Sequence, residues 1–591
     1  MCSARPAPEL TVRFARRAAP ALIPALVLLV LVAAFGVRVW GIGWDGYAAL
    51  HPDERHLFFI SRAALDALVD PANAQLGVAD WWFSPMSPLN PHLGDRSYVY
   101  GEAPLLTGIL AAWMLGITDW FAFIPLARTL ATLIDTGTVL CVFLAARQLA
   151  SPMAALSAAV LYAAMPSALQ LANFHTVDTW LSFATAAALV PLLALASRPS
   201  TGARATLLGL CAGAALGLAM ASKVTGLVLL IPAAVAVGVA AHRFLGWRRA
   251  VWVSLAGLVA AFVVFRLANP FAFAGPGVWG LALSADWIDD FQGLADVTAS
   301  PGFPPNWQWI AGYGPLRLAR DLAVFGVGPV AVVLLLGLRR SALWPLGVVP
   351  LLVIATYVTL TAISTVSALR YASPALPALA ILLAPVMQRL RPALVIPLLA
   401  VALWWGAGAV RLHDGQHPRI TASHWLWQQP RGTVLTNETA WDDTLPTIVA
   451  LEPGAPYRWP THDDWFELQN LDITAPDTVE KAERIAAMLA RTDLLILSSD
   501  RQWGVMPRLP DRFPMTAAHY AVLFSGQACF ELVWAGDRGY PLPGLRLNDL
   551  WAQEPWRIYD HPLVHIYRRQ PCYSEARYLE MLLRALNTPR P

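Results

Sequence analysis

The chain has 591 residues, of which 57% are hydrophobic and only 14% charged, with a mean hydropathy of +0.50. That is too apolar and too long for an ordinary soluble domain, so the sequence predicts a polytopic membrane protein. A net charge of +3 gives no basis for nucleic-acid binding, and the positions of the basic residues carry more information than their sum.

Arg13, Arg16 and Arg17 precede an apolar run over 20–40, which reads as an uncleaved signal anchor with a cytoplasmic N-terminus. About ten residues after Trp40 comes His51-Pro52-Asp53-Glu54-Arg55-His56. Paired carboxylates between two histidines, where a membrane helix has just left the bilayer, suit a proton-handling site at the water–lipid boundary. The competing reading makes Pro52 the first residue of an interfacial helix whose N-terminal turn favours Asp53 and Glu54. The following Leu57-Phe58-Phe59-Ile60 and Ala63-Ala64-Leu65 fit an amphipathic helix on the membrane surface. Trp81, Trp82 and Phe83 suit headgroup level or contacts between loop and bundle.

Segment 103–117 is short and lacks flanking charges, which predicts an interfacial or re-entrant element. Further spans are expected at 125–146, 152–170, 178–197, 205–221, 224–241, 249–268, 321–338, 342–363, 371–388 and 392–411, about eleven crossings with the first. Arg147, Arg198 with Arg204, Arg243 with Arg248 and Arg249, Arg339 with Arg340, and Arg389 with Arg391 then all lie on the cytoplasmic side, provided 103–117 does not cross. The same register puts the loop 41–124, the start of the helix at Asp178, the loop 269–320 and the C-terminus outside. Loop 269–320, with Asp286, Asp289, Asp290 and Asp296, reads as a lid or as a solvated connector.

After residue 412 charges and turn residues return, predicting a soluble extracytoplasmic α/β or α+β domain over 412–591 behind a catalytic membrane domain over 1–411. Thr433-Val434-Leu435 and Leu494-Leu495-Ile496-Leu497 read as buried strands and 477–491 as an amphipathic helix. Cys529 and Cys572 can pair if this part is extracytoplasmic. The sequon Asn437-Glu438-Thr439 carries little weight by itself.

Ionisable groups in a membrane bundle are costly and therefore functional candidates. Asp178 starts an otherwise apolar helix, either meeting the Asp53-Glu54 pair or capping its own helix. Lys223 and Arg370 sit at outer helix ends against the charge rule, and Arg128 and Arg266 lie near outer ends. A rim of cations suits an anionic lipid phosphate, with snorkelling or pairing to the acids as the plainer account. No Walker loop, dinucleotide fingerprint or Cys/His zinc cluster competes with this picture.

The order of His51-Pro52-Asp53-Glu54-Arg55, Tyr100-Gly101-Glu102-Ala103-Pro104-Leu105, Thr176-Val177-Asp178, Ser222-Lys223-Val224-Thr225-Gly226, Asn269-Pro270 and Arg370-Tyr371 with Pro374 and Pro377 resembles the GT-C membrane glycosyltransferases. It is similar above all to the bacterial family 39 type, related to protein O-mannosyltransferases and lipid A aminoarabinose transferases. In the outer domain, Ala440-Trp441-Asp442-Asp443-Thr444-Leu445-Pro446 and Leu523-Phe524-Ser525-Gly526 look like bacterial members of that group.

The resemblance implies a GT-C-like bundle in a bacterial inner or plasma membrane. It implies inverting transfer of a sugar from a polyprenyl-phosphate donor to a protein, lipid or glycan acceptor on the outer face. Asp53 would be the general base, Glu54 its neighbour and Asp178 the second acid, with Lys223 and Arg370, beside Tyr371, contacting phosphate. His51 and His56 join as substrate-binding candidates by proximity, and Arg128 and Arg266 by position. No cofactor is expected to be required, a divalent metal remaining open because the group is divided on metals. A transporter or flippase of an anionic lipid-linked substrate is the alternative.

Overall fold

The computed structural model describes residues 9–587 other than 95, 311, 313, 340–344, 439–443, 453–454, 459, 461–463 and 537–538. The side chains of Arg13, Arg16, Arg17 and Arg340, Thr439 of the sequon and the Ala440-Trp441-Asp442-Asp443 stretch lie outside the described residues.

Among the described residues, 7 helices are long and apolar enough to cross a membrane, or up to 9 if two bent pairs each count as one span. The bends have local causes. Pro152–Ala163 and Pro166–Ala172 meet at 63°, where Pro166 opens the second helix, and Pro315–Gly326 and Pro329–Leu335 meet at 112° across Gly328, whose φ of 79° admits glycine readily, followed by Pro329. The expected spans at 342–363 and 371–388 appear as apolar helices of 16 and 15 residues, Val348–Ile363 and Ala375–Arg389. At 1.5 Å per residue neither reaches the roughly 30 Å of a hydrocarbon core without neighbours to complete it. Segment 103–117 forms the 13-residue helix Glu102–Met114, also too short to span and packed against one end of the bundle.

Small residues bring the helices close together. Helices Gly202–Ser222 and Trp247–Ala268 approach so closely that a Cβ on Gly213 would lie 1.9 Å from the Gly257 carbonyl oxygen. Gly101 is held the same way against the Ala221 carbonyl, 2.1 Å from where its Cβ would be, and its N–H donates to Ser222 O at 3.1 Å. The Tyr100-Gly101 corner is thereby fastened to the end of the helix that carries Lys223.

The loop 41–124 folds as the helix Pro52–Val69, the short helix Val78–Phe83 and Glu102–Met114 around Leu57, Phe58, Tyr98, Leu105 and Phe123. Trp82 donates its indole N–H to Leu267 O at 2.8 Å and Phe83 lies under Arg266, so these aromatics join loop to bundle. The loop 269–320 carries the helix Ala285–Ala299, and beyond it Trp307 is buried in the core of the C-terminal region against Phe513, so this part of the loop is an anchored connection.

The C-terminal region contains a five-stranded mixed sheet in the spatial order Phe466–Leu471, Thr433–Glu438, Leu494–Leu497, Val564–Arg569, Phe530–Gly536. The first three strands run parallel and the last two pair antiparallel. Val479–Arg491 lies over the sheet, burying Ala482, Ile485, Ala486 and Leu489 at helical spacing. Cys529 and Cys572 form a disulfide, closing a 43-residue separation.

This region is docked on the bundle through polar contacts as well as apolar ones. His561 lies between Asp560 and Asp549, and Asp560 also accepts from Gln170 of the bundle at 2.8 Å. Burial alone would lower the His561 pKa, but the two carboxylates outweigh it and push it up to about 10. A histidine whose folded pKa is raised stabilises fully below its unfolded value near 6.5, and that contribution is lost as pH rises through about 10. The melting temperature is therefore expected to fall between pH 6.5 and 10, and to fall less in His561→Gln.

Candidate active site

Asp53 occupies the first turn of Pro52–Val69, with Pro52 in its first turn and His51 as N-cap. This is the helix start expected from the plainer reading, and the side chain of Asp53 nevertheless points to a site. Its Oδ2 accepts from Arg370 Nη1 at 2.7 Å, and the two side chains keep 17% and 15% exposure. Arg370 stands on a short 3-10 turn, Leu369–Ala372, just before Ala375–Arg389. Burial would raise the Asp53 pKa, but Arg370, then His51 and Lys223, hold its carboxyl below the ordinary carboxylate value. Asp53 is consequently ionised at neutral pH.

A second ion pair stands beside the first. Lys223 Nζ donates to Asp178 Oδ1 at 2.8 Å, Asp178 coming from the first turn of Val177–Ser197 and Lys223 from the residue that ends Gly202–Ser222. Tyr371 joins the pairs: Lys223 Nζ lies 4.4 Å from its ring centre and the Arg370 guanidinium 5.6 Å. Tyr100 also lies within the fields of Asp53, Arg370, Tyr371 and Asp178, and burial first, then Asp53, keeps its hydroxyl protonated well beyond the usual range. Asp53, Asp178, Lys223, Arg370 and Tyr371 thus meet from four separate chain segments. Next to them Tyr100, Met220, Val224, Leu227, Phe265 and Trp287 line a largely apolar cavity of about 180 Å3.

The other candidates take different places. Glu54 is wholly buried and turned away from Asp53; with Asp45 it grips Arg128 in paired hydrogen bonds of 2.7 to 3.0 Å. Burial lifts the Glu54 pKa more than Arg128 lowers it. Arg128 also donates to Ile42 O at 2.6 Å, so it locks the loop to the helix Trp120–Ala146 and has no face open to a substrate. Arg266 is likewise spent, donating to Pro270 O and Gly277 O at 3.0 and 2.8 Å between Phe83 and Phe273. His51 is buried, with Nε2 3.3 Å from Arg370 Nη1 and its ring 4.0 Å from that of Tyr559. Burial lowers its pKa to about 3, leaving a neutral ring that accepts from Arg370. His56 packs between Tyr98 and Tyr100.

The structure adds residues that sequence reasoning passed over. Tyr559 and Gln553 bring the C-terminal region to the site, Tyr559 5.5 Å from the Arg370 guanidinium and Gln553 accepting from Leu369 N at 2.8 Å. Behind Tyr100, His92 bonds Asp290 at 2.5 Å and lies 3.8 Å from Glu102, joining loop 269–320 to the first loop. Glu102 stood in a motif already noticed, whereas nothing in the sequence marks Tyr559.

Residues 106–268 match the family model described as dolichyl-phosphate-mannose-protein mannosyltransferase. No curated protein sequence matches the chain. Among solved structures, the Archaeoglobus fulgidus oligosaccharyltransferase tethered with an acceptor peptide is 14% identical, covering 90% of this chain and 76% of that one at a TM-score of 0.50. ArnT from Cupriavidus metallidurans matches in the apo state at 15% identity, 93% and 98% coverage and a TM-score of 0.47. Bound to undecaprenyl phosphate it matches at 18% identity, 68% and 72% coverage and a TM-score of 0.43. The family model thus matches part of the membrane bundle, and the likeness to the oligosaccharyltransferase shows a shared fold.

Proposed function

We propose that the protein transfers a sugar from a polyprenyl-phosphate donor to a hydroxyl-bearing acceptor on the extracytoplasmic face, with inversion at the anomeric carbon. The observation that carries this reading is the pairing of Asp53 with Arg370 beside Lys223 and Asp178, partly open next to an apolar cavity. The related structures include one bound to undecaprenyl phosphate, which supports a lipid-linked donor. The Cys529–Cys572 disulfide supports an oxidising, extracytoplasmic location for the C-terminal region.

The donor phosphate competes with Asp53 for Arg370 and with Asp178 for Lys223. Once Arg370 turns to phosphate, Asp53 loses the cation that depresses its pKa and becomes a better base. Asp53 then takes the proton of the acceptor hydroxyl, whose oxygen attacks the anomeric carbon. The bond from that carbon to the phosphate oxygen breaks, and polyprenyl phosphate leaves with the electron pair, its charge met by Arg370 and Lys223. Asp178 positions Lys223, and Tyr371 shields both cations from water.

A divalent ion fits these residues poorly, because each carboxylate at the site already faces a cation and no three metal-ligating side chains converge among the described residues. The reading therefore assigns the positive charge to Arg370 and Lys223.

Lys223→Ala is expected to raise KM for a polyprenyl-phosphate sugar by about tenfold or more, since a charge-assisted hydrogen bond to phosphate contributes about 1.5–3 kcal/mol. An unchanged donor KM in initial-rate assays would remove Lys223 from the donor site.

A further inference from the structure

A second polar cavity, of about 370 Å3, lies where the loop 269–320 and the helix Pro315–Asp321 meet the outer domain. Arg317, Arg320, Arg508 and Arg557 line it, against the carboxylates of Asp500 and Glu554, with Trp503 and Trp551 as aromatic walls. Glu554 is already engaged by Arg501 and by Gln308 at 2.5 Å, and Arg320 by Asp321 at 2.9 Å. Arg557 gives one Nη2 hydrogen bond to Asp500, while its Nε and Nη1 are buried with no partner among the described residues. Arg557 is only 5% exposed. The indole N–H of Trp503 is orphaned in the same way. Partial burial, followed by the charge of Arg317, holds the Arg508 guanidinium below its ordinary pKa against the opposing pull of Asp500.

Buried guanidinium N–H groups without acceptors are costly, and here they stand in a space large enough for a small ligand, beside three further arginines. We propose that this cavity binds the phosphate group of a sugar phosphate or lipid headgroup, and that this ligand is the anionic portion of the acceptor. Guanidinium forks suit phosphate oxygens, and Trp503 and Trp551 offer flat faces for the attached sugar or glycerol. One segment joins the cavity to the catalytic pair: Gln553, Glu554 and Arg557 line the cavity, Gln553 holds Leu369, and Tyr559 lies against Arg370 and His51. The acceptor role rests on the transferase reading; the binding of phosphate does not.

The test is calorimetric titration of the full-length protein in detergent with glucose 6-phosphate, with glucose and with sodium chloride of matched ionic strength. Saturable binding is expected for glucose 6-phosphate alone. It should persist in Lys223→Ala, which alters the donor site, and weaken at least tenfold in Arg317→Glu and Arg508→Glu, both exposed positions at which an unchanged melting temperature certifies the fold. Competition by nanodiscs containing phosphatidylglycerol, but not phosphatidylcholine alone, would identify a lipid headgroup as the source, and its absence a sugar phosphate. No saturable binding, or binding lost in Lys223→Ala and kept in both arginine variants, would overturn the proposal. Saturable cavity binding in a protein that never cleaves a donor would leave the site standing and bring down the transferase reading instead.

Discussion

Arg128→Ala is expected to cost about 3–5 kcal/mol of stability, enough to prevent accumulation of folded protein. Arg128 is fully buried and holds two carboxylates at once, Asp45 and Glu54, while closing the loop through Ile42 O. Truncation leaves both acids in a water-poor interior with their cation gone, and the penalty is their desolvation rather than the lost attraction. Arg128→Lys should recover only part of the loss, because one ammonium cannot make the two paired contacts of the guanidinium. Melting temperature and detergent-extracted yield report this directly. A folded Arg128→Ala protein with altered donor KM would return Arg128 to the substrate site.

Asp53→Asn is expected to leave the fold intact and to lower kcat by about 10^2- to 10^4-fold, the usual contribution of a positioned base. The amide keeps the size of the side chain, and the position is partly exposed, so the melting temperature should stay close to that of the unaltered protein. Donor KM should change far less than kcat, because Arg370 remains and, no longer neutralised by Asp53, binds phosphate at least as readily. A kcat within a few-fold of the unaltered protein would assign the base elsewhere, with Asp178 the nearest carboxylate in the pair of ion pairs.

Those two predictions also separate what could be read along the chain from what could not. Asp53 was visible as one of two adjacent carboxylates between histidines just beyond an apolar run, and Asp178, Lys223 and Arg370 as charges at the ends of apolar segments. The structure brings these four together, and Tyr371 follows from adjacency. Glu54 shares the same six residues but points to the opposite side of its helix, and its partner Asp45 comes from a stretch that looked like a mere connection. Arg266 was visible as a charge, yet its partners are backbone carbonyls, which no side-chain pattern announces. His51 lies buried with its Nε2 3.3 Å from Arg370 Nη1.

Most membrane segments were legible from length and hydropathy, but the expected spans 152–170 and 321–338 are bent at Pro166 and at Gly328-Pro329, and 342–363 and 371–388 form helices too short to span alone. The strands Thr433–Glu438 and Leu494–Leu497 and the helix Val479–Arg491 were likewise found from their periodicity. The sheet order was not, because Val564–Arg569 inserts from far along the chain between Leu494–Leu497 and Phe530–Gly536 and pairs antiparallel with both. Nor was the contribution of Tyr559 and Gln553, which reach Arg370 and Leu369 respectively across almost two hundred residues of sequence.

The most direct measurement is the fate of a polyprenyl-phosphate sugar, labelled in the sugar, in proteoliposomes containing the purified protein and a crude acceptor fraction. The account predicts that label leaves the lipid and appears on the acceptor fraction, that unlabelled polyprenyl phosphate accumulates in equal amount, and that Asp53→Asn stops both. Label that changes leaflet with its bond to phosphate intact, at the same rate in Asp53→Asn, would contradict it and make the protein a carrier of the lipid.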